Sequence, residues 1–267
     1  MSKMLRRLVL ALTPFVFLVG VWEVCALAVT ALRDVPFPTP LDTARHGFAL
    51  LSGSPLLGLS IYAHTLHSLL RWVVGFIIAA FSGVAFGVAA GWWSIFERIG
   101  MPPVHMIQLV PGLAWIPVAI LFFGVGSEAT VFMIAVTAFA PVAISVAAGV
   151  KRVDSMYLRA ALMLGADRRC LFLRVLLPGA MPQILSGLRI GVGNGWRVLV
   201  AGEMVVGTGT GLGYSIIQAR WTLDYTSAFV CIVVICAIGL LIERAVFAPI
   251  ERRTVERWGL TRNGSAE

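Results

Sequence analysis

Six apolar stretches punctuate the chain, at about residues 8–32, 72–93, 106–125, 129–149, 184–206 and 228–246. About 20 apolar residues carry a helix across a hydrocarbon core, so each stretch reads as a transmembrane helix. Pro36, Pro38 and Pro40 open a loop over residues 33–60, with a short helix around Thr43–Leu51. Ile61–Leu70 reads as an amphipathic lead-in to the second span, whose ends carry Trp72 and Trp93 as interface anchors. Phe96–His105 reads as a loop. The third span holds Pro111 and Pro117 and should be kinked or broken. Backbone groups freed that way must be satisfied by protein or by a water-lined cavity. A turn at Gly124, Gly126 and Ser127 leads into the fourth span. The Gly-rich loop GTGTGLGYS joins the fifth to the sixth, and Glu251–Glu267 forms a charged, frayed tail. The first stretch follows a basic start, MSKMLRR, as a signal peptide would. Its apolar run is too long for a usual signal core and lacks a clear small-residue cleavage site, so it reads as a retained helix. The expectation is one all-α integral membrane domain over residues 1–267.

Two spans carry glycines at a spacing of four: Gly83, Gly87 and Gly91 in the second, Gly187, Gly191 and Gly195 in the fifth. That spacing puts the glycines on one helix face and lets another backbone approach closely.

Residues 150–183 are basic, helix-forming and interrupted at fixed points. Ser155 or Asp154 can cap a first short helix, and Gly165 can end it by taking the left-handed conformation a helix C-terminus often needs. Asp167 can cap a second helix, which Pro178-Gly179 is expected to stop. Ala160 and Ala161 leave one face with little bulk. Two short angled helices between membrane spans suit a docking knob for another protein.

Composition agrees with the membrane reading. The chain is 59% apolar and 13% charged, where a soluble domain has ~45–50% and ~25%. Mean hydropathy is +0.91. The net charge of +8 invites a nucleic-acid partner, but the positions of the charges argue against one. With six spans and both termini inside, Lys3, Arg98, Lys151, Arg152, Arg159, Arg168, Arg169, Arg174, Arg244 and others place fifteen of the 21 basic residues inside. Arg33, Arg45 and Arg220 lie outside, while Arg71, Arg189 and Arg197 lie in or beside spans. This asymmetry obeys the positive-inside rule and sets both termini in the cytoplasm.

Candidate chemistry is sparse. No GxxxxGK[ST] phosphate loop occurs; the two lysines, Lys3 and Lys151, follow no suitable glycines, and GTGTGLG lacks a lysine. The chain is therefore expected to bind no nucleotide and to hydrolyse none. His64 and His67 share a helical face without a third ligand, so no metal site is expected; Cys25, Cys170, Cys231 and Cys236 read as small packing residues. Arg197 and Glu203 lie well inside the fifth span. Each costs ~2.5–3.5 kcal/mol against lipid and should face a partner or a cavity. Six residues apart, they sit on different helix faces and cannot pair directly. They are candidates for a translocation path, with Asn194, Trp196 and Trp115, the last between two prolines as part of a gate. An internal ion pair for the charges and plain packing for the others are the competing readings.

Residues 159–178 resemble the cytoplasmic loop of membrane subunits of ATP-driven importers. That pattern is Glu-Ala-Ala, three residues, Gly, nine residues, Ile, any residue, Leu-Pro. Here Ala160-Ala161, Gly165, Val175, Leu177 and Pro178 keep the spacing, with Arg159 in place of the acidic residue and Val175 in place of Ile. PGLAWIPVAILFFGVG, FAPVAISVAAGVK, LPGAMPQILSGLRIGVGNGW and LVAGEMVVGTGTGLGY extend the likeness from about His64 to Arg253. In order and spacing they resemble permeases of the taurine, alkanesulfonate and nitrate importer group, with taurine permeases closest. The resemblance implies a type I importer fold with cytoplasmic coupling helices in a bacterial inner membrane. It implies a permease homodimer, two cytoplasmic ATPase subunits carrying ATP and Mg, and an extracytoplasmic binding protein. Arg159, Ala160, Ala161, Gly165, Ala166, Asp167 and Pro178 would then form the ATPase-coupling surface. The implied cargo is a small sulfonate, with nitrate or another oxyanion as the alternative. An ion-coupled secondary transporter is the competing class; it would usually show an inverted repeat, and none is evident.

Overall fold

A computed structural model describes residues 3–33, 36–247 and 249. The charged tail Glu251–Glu267 lies outside the described residues. Among the described residues eleven α-helices follow in order: α1 Lys3–Arg33, α2 Pro40–Leu51, α3 Ile61–Trp92, α4 Ser94–Leu109, α5 Ile116–Phe123, α6 Ser127–Arg152, α7 Ser155–Met163, α8 Arg168–Cys170, α9 Leu177–Val206, α10 Leu212–Trp221 and α11 Tyr225–Ile242. A 3-10 turn, Gly112–Trp115, precedes α5; π-helical turns at Leu171–Leu176 and Glu243–Phe247 flank the later helices. Among the described residues no strand occurs beyond one isolated bridge, Leu56 with Leu59. Among the described residues five helices are long and apolar enough to cross a membrane, or six if α4 and the 112–123 segment form one broken span.

Three boundaries differ from the sequence reading, each for a local reason. The lead-in Ile61–Leu70 and the second span are one helix, started by Ser60, whose hydroxyl accepts the Ala63 N–H at 3.2 Å. Its polar residues made it look amphipathic, yet His64, Ser68 and Arg71 point into the protein, not to water. Phe96–His105 is not a loop but the body of α4, with Pro102 and Pro103 inside it. The carbonyls those prolines leave unpaired belong to Arg98 and Ile99, which are exposed. The third span is broken, one of the two outcomes its prolines led us to expect: α4 and the 112–123 segment meet at 104°. The break falls at Val110, in extended backbone before Pro111, as a residue preceding proline prefers. Pro178-Gly179 does not stop the second coupling helix. The π turn Leu171–Leu176 carries the chain straight into α9, where Pro178 lies in the first turn and its missing N–H is tolerated.

Helix α6 is the axis. Half of its apolar window is buried inside the chain, against 6% for α1. Both glycine rows face it. A Cβ on Gly83 would lie 2.9 Å from the Val142 Cβ, on Gly87 2.6 Å from the Ala143 carbonyl oxygen, and on Gly91 2.5 Å from the Val150 Cβ. From α9, a Cβ on Gly187 would lie 2.7 Å from the Ser145 Cβ and on Gly191 2.8 Å from Val142. Gly195 is looser, with Ile134 at 3.2 Å. The small residues thus let α3 and α9 close on adjacent flanks of α6, meeting at Val142, as van der Waals packing in a membrane requires. Val142, Val146, Val150, Leu176 and Ile184 form the buried cluster between them.

Gly87→Leu should therefore separate α3 from α6. Overpacking of this kind costs about 1–3 kcal/mol or more. The expected result is a lower melting temperature and a broadened size-exclusion peak in detergent, with Gly20→Leu, whose Cβ meets nothing within 4 Å, as the neutral control.

Candidate functional site

The predicted coupling segment forms a knob outside the bundle. Asp154, not Ser155, caps α7, its carboxylate accepting the Met156 N–H at 2.8 Å. Gly165 ends α7 with φ +81°. The Gly165 N–H reaches the Leu162 carbonyl at 3.0 Å and the Ala166 N–H reaches the Ala161 carbonyl at 3.0 Å, the paired bonds of a Schellman motif. Asp167 caps the next turn, accepting the Cys170 N–H at 2.9 Å. Leu171 and Leu176 are buried and seat the knob on the bundle, while Leu158 and Phe172 pack beside them. Arg159, Ala160 and Gly165 are exposed, and Ala161 and Ala166 are half-buried. The tip is apolar: Met163 is 87% and Leu164 89% exposed. Contiguous exposed apolar residues next to a basic stretch mark an interaction surface. Pro178 lies behind the knob in the first turn of α9.

The five translocation candidates divide into two groups. Glu203 and Trp196 are inside the packed protein. Trp196 is buried edge-on against Trp72, ring centroids 5.8 Å apart, and Gly239 of α11 meets its indole. Trp115 is half-buried in the cluster of Ala119, Met133 and Val198. Arg197 is exposed, and Asn194 beside it is half-buried. The Arg197 guanidinium donates to the Gly193 carbonyl at 3.1 Å and to the Asn194 Oδ1 at 2.9 Å. Arg197 and Asn194 thus form one small polar group on the flank of α9 that α6 leaves uncovered.

Glu203 sits at the centre of a buried knot that the sequence reading did not assemble. Its carboxylate is paired with Arg71 of α3 at 2.7 Å, and the two side chains are 0% and 7% exposed. Ser68 donates to it at 2.9 Å, and the Gly213 N–H at 2.9 Å. Arg71 spends its other donors on the Thr210 carbonyl (2.7 Å), the Thr210 hydroxyl (2.9 Å) and Ser127 at the start of α6 (2.9 Å). The Leu212 N–H bonds the Ser68 hydroxyl at 2.9 Å. The Gly211 N–H bonds His64 Nδ1 at 3.1 Å, so the ring proton is on Nε2, which donates to the Leu56 carbonyl at 3.0 Å. The first N–H groups of α10 are thereby satisfied by buried side chains, one of them an anion, as a helix N-terminus favours.

This arrangement explains the glycines of GTGTGLG without a phosphate. A Cβ on Gly211 would lie 2.5 Å from the Glu203 carboxylate, and one on Gly213 2.3 Å from the Val200 carbonyl oxygen. They permit the loop to close over the ion pair. A signal was present in the sequence: His64, Ser68 and Arg71 fall at i, i+4 and i+7, a polar stripe on one helix face. Among the described residues no group of histidine, cysteine, aspartate or glutamate could hold a metal ion.

Residues 83–254 match the family model of the binding-protein-dependent transport system inner membrane component. The taurine transport system permease protein of Escherichia coli is 33% identical over 249 residues, covering 93% of this chain and 90% of that protein. The nitrate import permease protein of Leptolyngbya laminosa is 30% identical over 250 residues, covering 92% and 87%. A chain of the inward-facing MetNI methionine ABC transporter superposes with a TM-score of 0.54 at 21% identity, covering 80% of this chain and 97% of that one. The knob, the axial helix and the glycine-lined crossings therefore sit in an ABC importer permease fold, and the chain belongs to the binding-protein-dependent transport system inner membrane component family.

Proposed function

We propose that this chain is the pore-forming subunit of an importer for a small sulfonate, taurine first, working as a homodimer. Two separate ATPase subunits, carrying ATP and Mg, dock on the knob at Arg159–Asp167, and an extracytoplasmic binding protein delivers the cargo. Both termini are then cytoplasmic, and the Gly-rich loop faces outside. ATP-driven closure of the ATPase pair biases the permease between inward- and outward-open states, and the cargo moves by alternating access. The chain itself supplies no catalytic group. The observation that supports the sulfonate is the extended likeness to the taurine permease. The nitrate permease is nearly as similar, and it supports a second reading with nitrate or another small oxyanion as cargo.

Both cargoes are anions at one end, and Arg197 with Asn194 suits an anion. A membrane-depth arginine facing away from the bundle interior costs free energy unless it meets water or a ligand. Uptake of labelled taurine by cells lacking this chain, with and without complementation, tests the cargo. Restored uptake that excess nitrate leaves unchanged supports taurine; taurine uptake indifferent to the chain, with nitrate uptake dependent on it, overturns it. Arg197→Ala is expected to cut uptake about tenfold or more, the weight of a charge-assisted hydrogen bond. Its two bonds lie within its own helix, so the amount of folded protein should not change. Wild-type uptake by Arg197→Ala would remove it from the path.

A further inference from the structure

An apolar groove of about 410 Å³ lies between α1, α2 and α11, lined by Val19, Trp22, Thr43, Gly47, Phe48 and Val233 among others. Helix α1 meets the bundle from its middle onward. Trp22 stacks on Phe229 with centroids 5.3 Å apart, and its indole donates to the Pro38 carbonyl at 3.0 Å. Below them Ala26 is fully buried and the Thr30 hydroxyl accepts the Phe37 N–H at 3.3 Å, while Phe15 to Val19 are exposed, so the groove lies between two membrane-crossing helices. Its mouth runs along α2, which exposes Asp42 and Arg45 beside Leu41, Phe48 and Leu51. A short helix with that mixture belongs at the membrane–water boundary. One polar group in the wall has no partner. Thr43 is 4% exposed, and its hydroxyl, closed off from water, makes no hydrogen bond. An unmade bond of a buried hydroxyl costs about 1–3 kcal/mol. A helical threonine has two χ1 wells open to it, so the hydroxyl can turn to an acceptor placed in the groove.

We infer that the groove is a phospholipid site. An acyl chain fills the apolar part from α2 down to Val19 and Trp22, and the ester carbonyl at its head accepts from Thr43. Lipid is the surrounding solvent of both helices that form the walls, and an ester oxygen at the boundary is the acceptor that solvent offers.

The test uses the full chain, with whatever subunits co-purify, reconstituted with phosphatidylethanolamine and exchanged into detergent for native mass spectrometry. The expected wild-type result is one diacyl phospholipid retained per protomer. Gly47→Leu fills the groove from a position where a Cβ makes only ordinary contact, 3.6 Å from Val230, and should abolish retention. Thr43→Val keeps the shape and should lower retention about fivefold, the weight of one hydrogen bond, without lowering the melting temperature of the lipid-free protein. No bound lipid on the wild type, equal retention by all three proteins, or only fatty acid or detergent in the groove would each overturn the assignment. So would an Ala44→Cys disulfide to a second copy, which would put protein there instead.

Discussion

Arg71→Met is expected to leave little folded protein. Glu203 is fully buried, and Arg71 is the one cation in contact with it among the described residues. Methionine fills much of the arginine's volume but leaves a buried carboxylate with only Ser68 and the Gly213 N–H. It also takes the guanidinium from the Thr210 and Ser127 hydroxyls, and leaves the Thr210 carbonyl only the Thr208 hydroxyl. Breaking a buried pair from one side costs about 3–5 kcal/mol, against a total of about 5–15 for a typical fold. Thermal unfolding followed by size exclusion in detergent reads the effect, and a wild-type melting temperature would show that the pair is not structural. The double change Arg71→Met with Glu203→Leu removes both charges and should recover part of the loss. Recovery stays partial because the Gly213 N–H and the Ser68 hydroxyl both lose the carboxylate they donate to. A double change as unstable as the single one would locate the cost in the stranded backbone rather than in the charge.

The knot and the knob stand at opposite ends of one helix. Ser127, which Arg71 holds, begins α6; Arg152, two residues before the Asp154 cap, ends it. Twenty-six residues at 1.5 Å each separate them by about 39 Å. The glycine rows clamp α3 and α9 to that same helix along its length. A displacement of the knob is then passed to the Gly-rich loop through one stiff block, not through a chain of side-chain rearrangements. In the importer reading this is what links the ATPase side to the side where the binding protein docks.

How much of this was legible beforehand depended on whether a signal was local. The cap at Asp167, the left-handed Gly165 and the two glycine rows follow from short-range rules, and the structure has them where the spacing put them. Pro178 was misread because a proline removes one hydrogen bond wherever it stands, but ends a helix only where that bond is needed; the π turn before α9 made it unnecessary. The two prolines of α4 escaped for the same reason. The partner of Glu203 was out of reach, since the pair joins residues 132 apart in the chain. Even so, Glu203 is one of only three acids inside the spans, with Glu23 and Glu243, and the basic residues in or beside spans are Arg71, Arg189 and Arg197. The polar stripe of His64, Ser68 and Arg71 favoured the first of these.

Gly165→Pro is expected to reduce uptake to background while the amount of inserted, folded permease stays at the wild-type level. Proline fixes φ near −65°, and Gly165 has φ +81°. The substitution also removes the N–H that reaches Leu162, and it forces the chain out of the turn that aims Met163 and Leu164 outward. The damage stays local, since Gly165 is exposed and nothing lies within 4 Å of where its Cβ would be. A graded series separates geometry from mere substitution. Asparagine accepts the left-handed region best after glycine and should keep most of the uptake. Alanine pays about 1–2 kcal/mol there and should fall between asparagine and proline. ATPase activity of the assembled importer gives the second readout: with proline it should no longer respond to the loaded binding protein, because the knob no longer seats. Uptake that survives proline, or a series ordered by side-chain size instead of by tolerance for positive φ, would show that the turn does not position a docking surface. The knob would then be a connector whose exposed apolar tip serves something other than coupling.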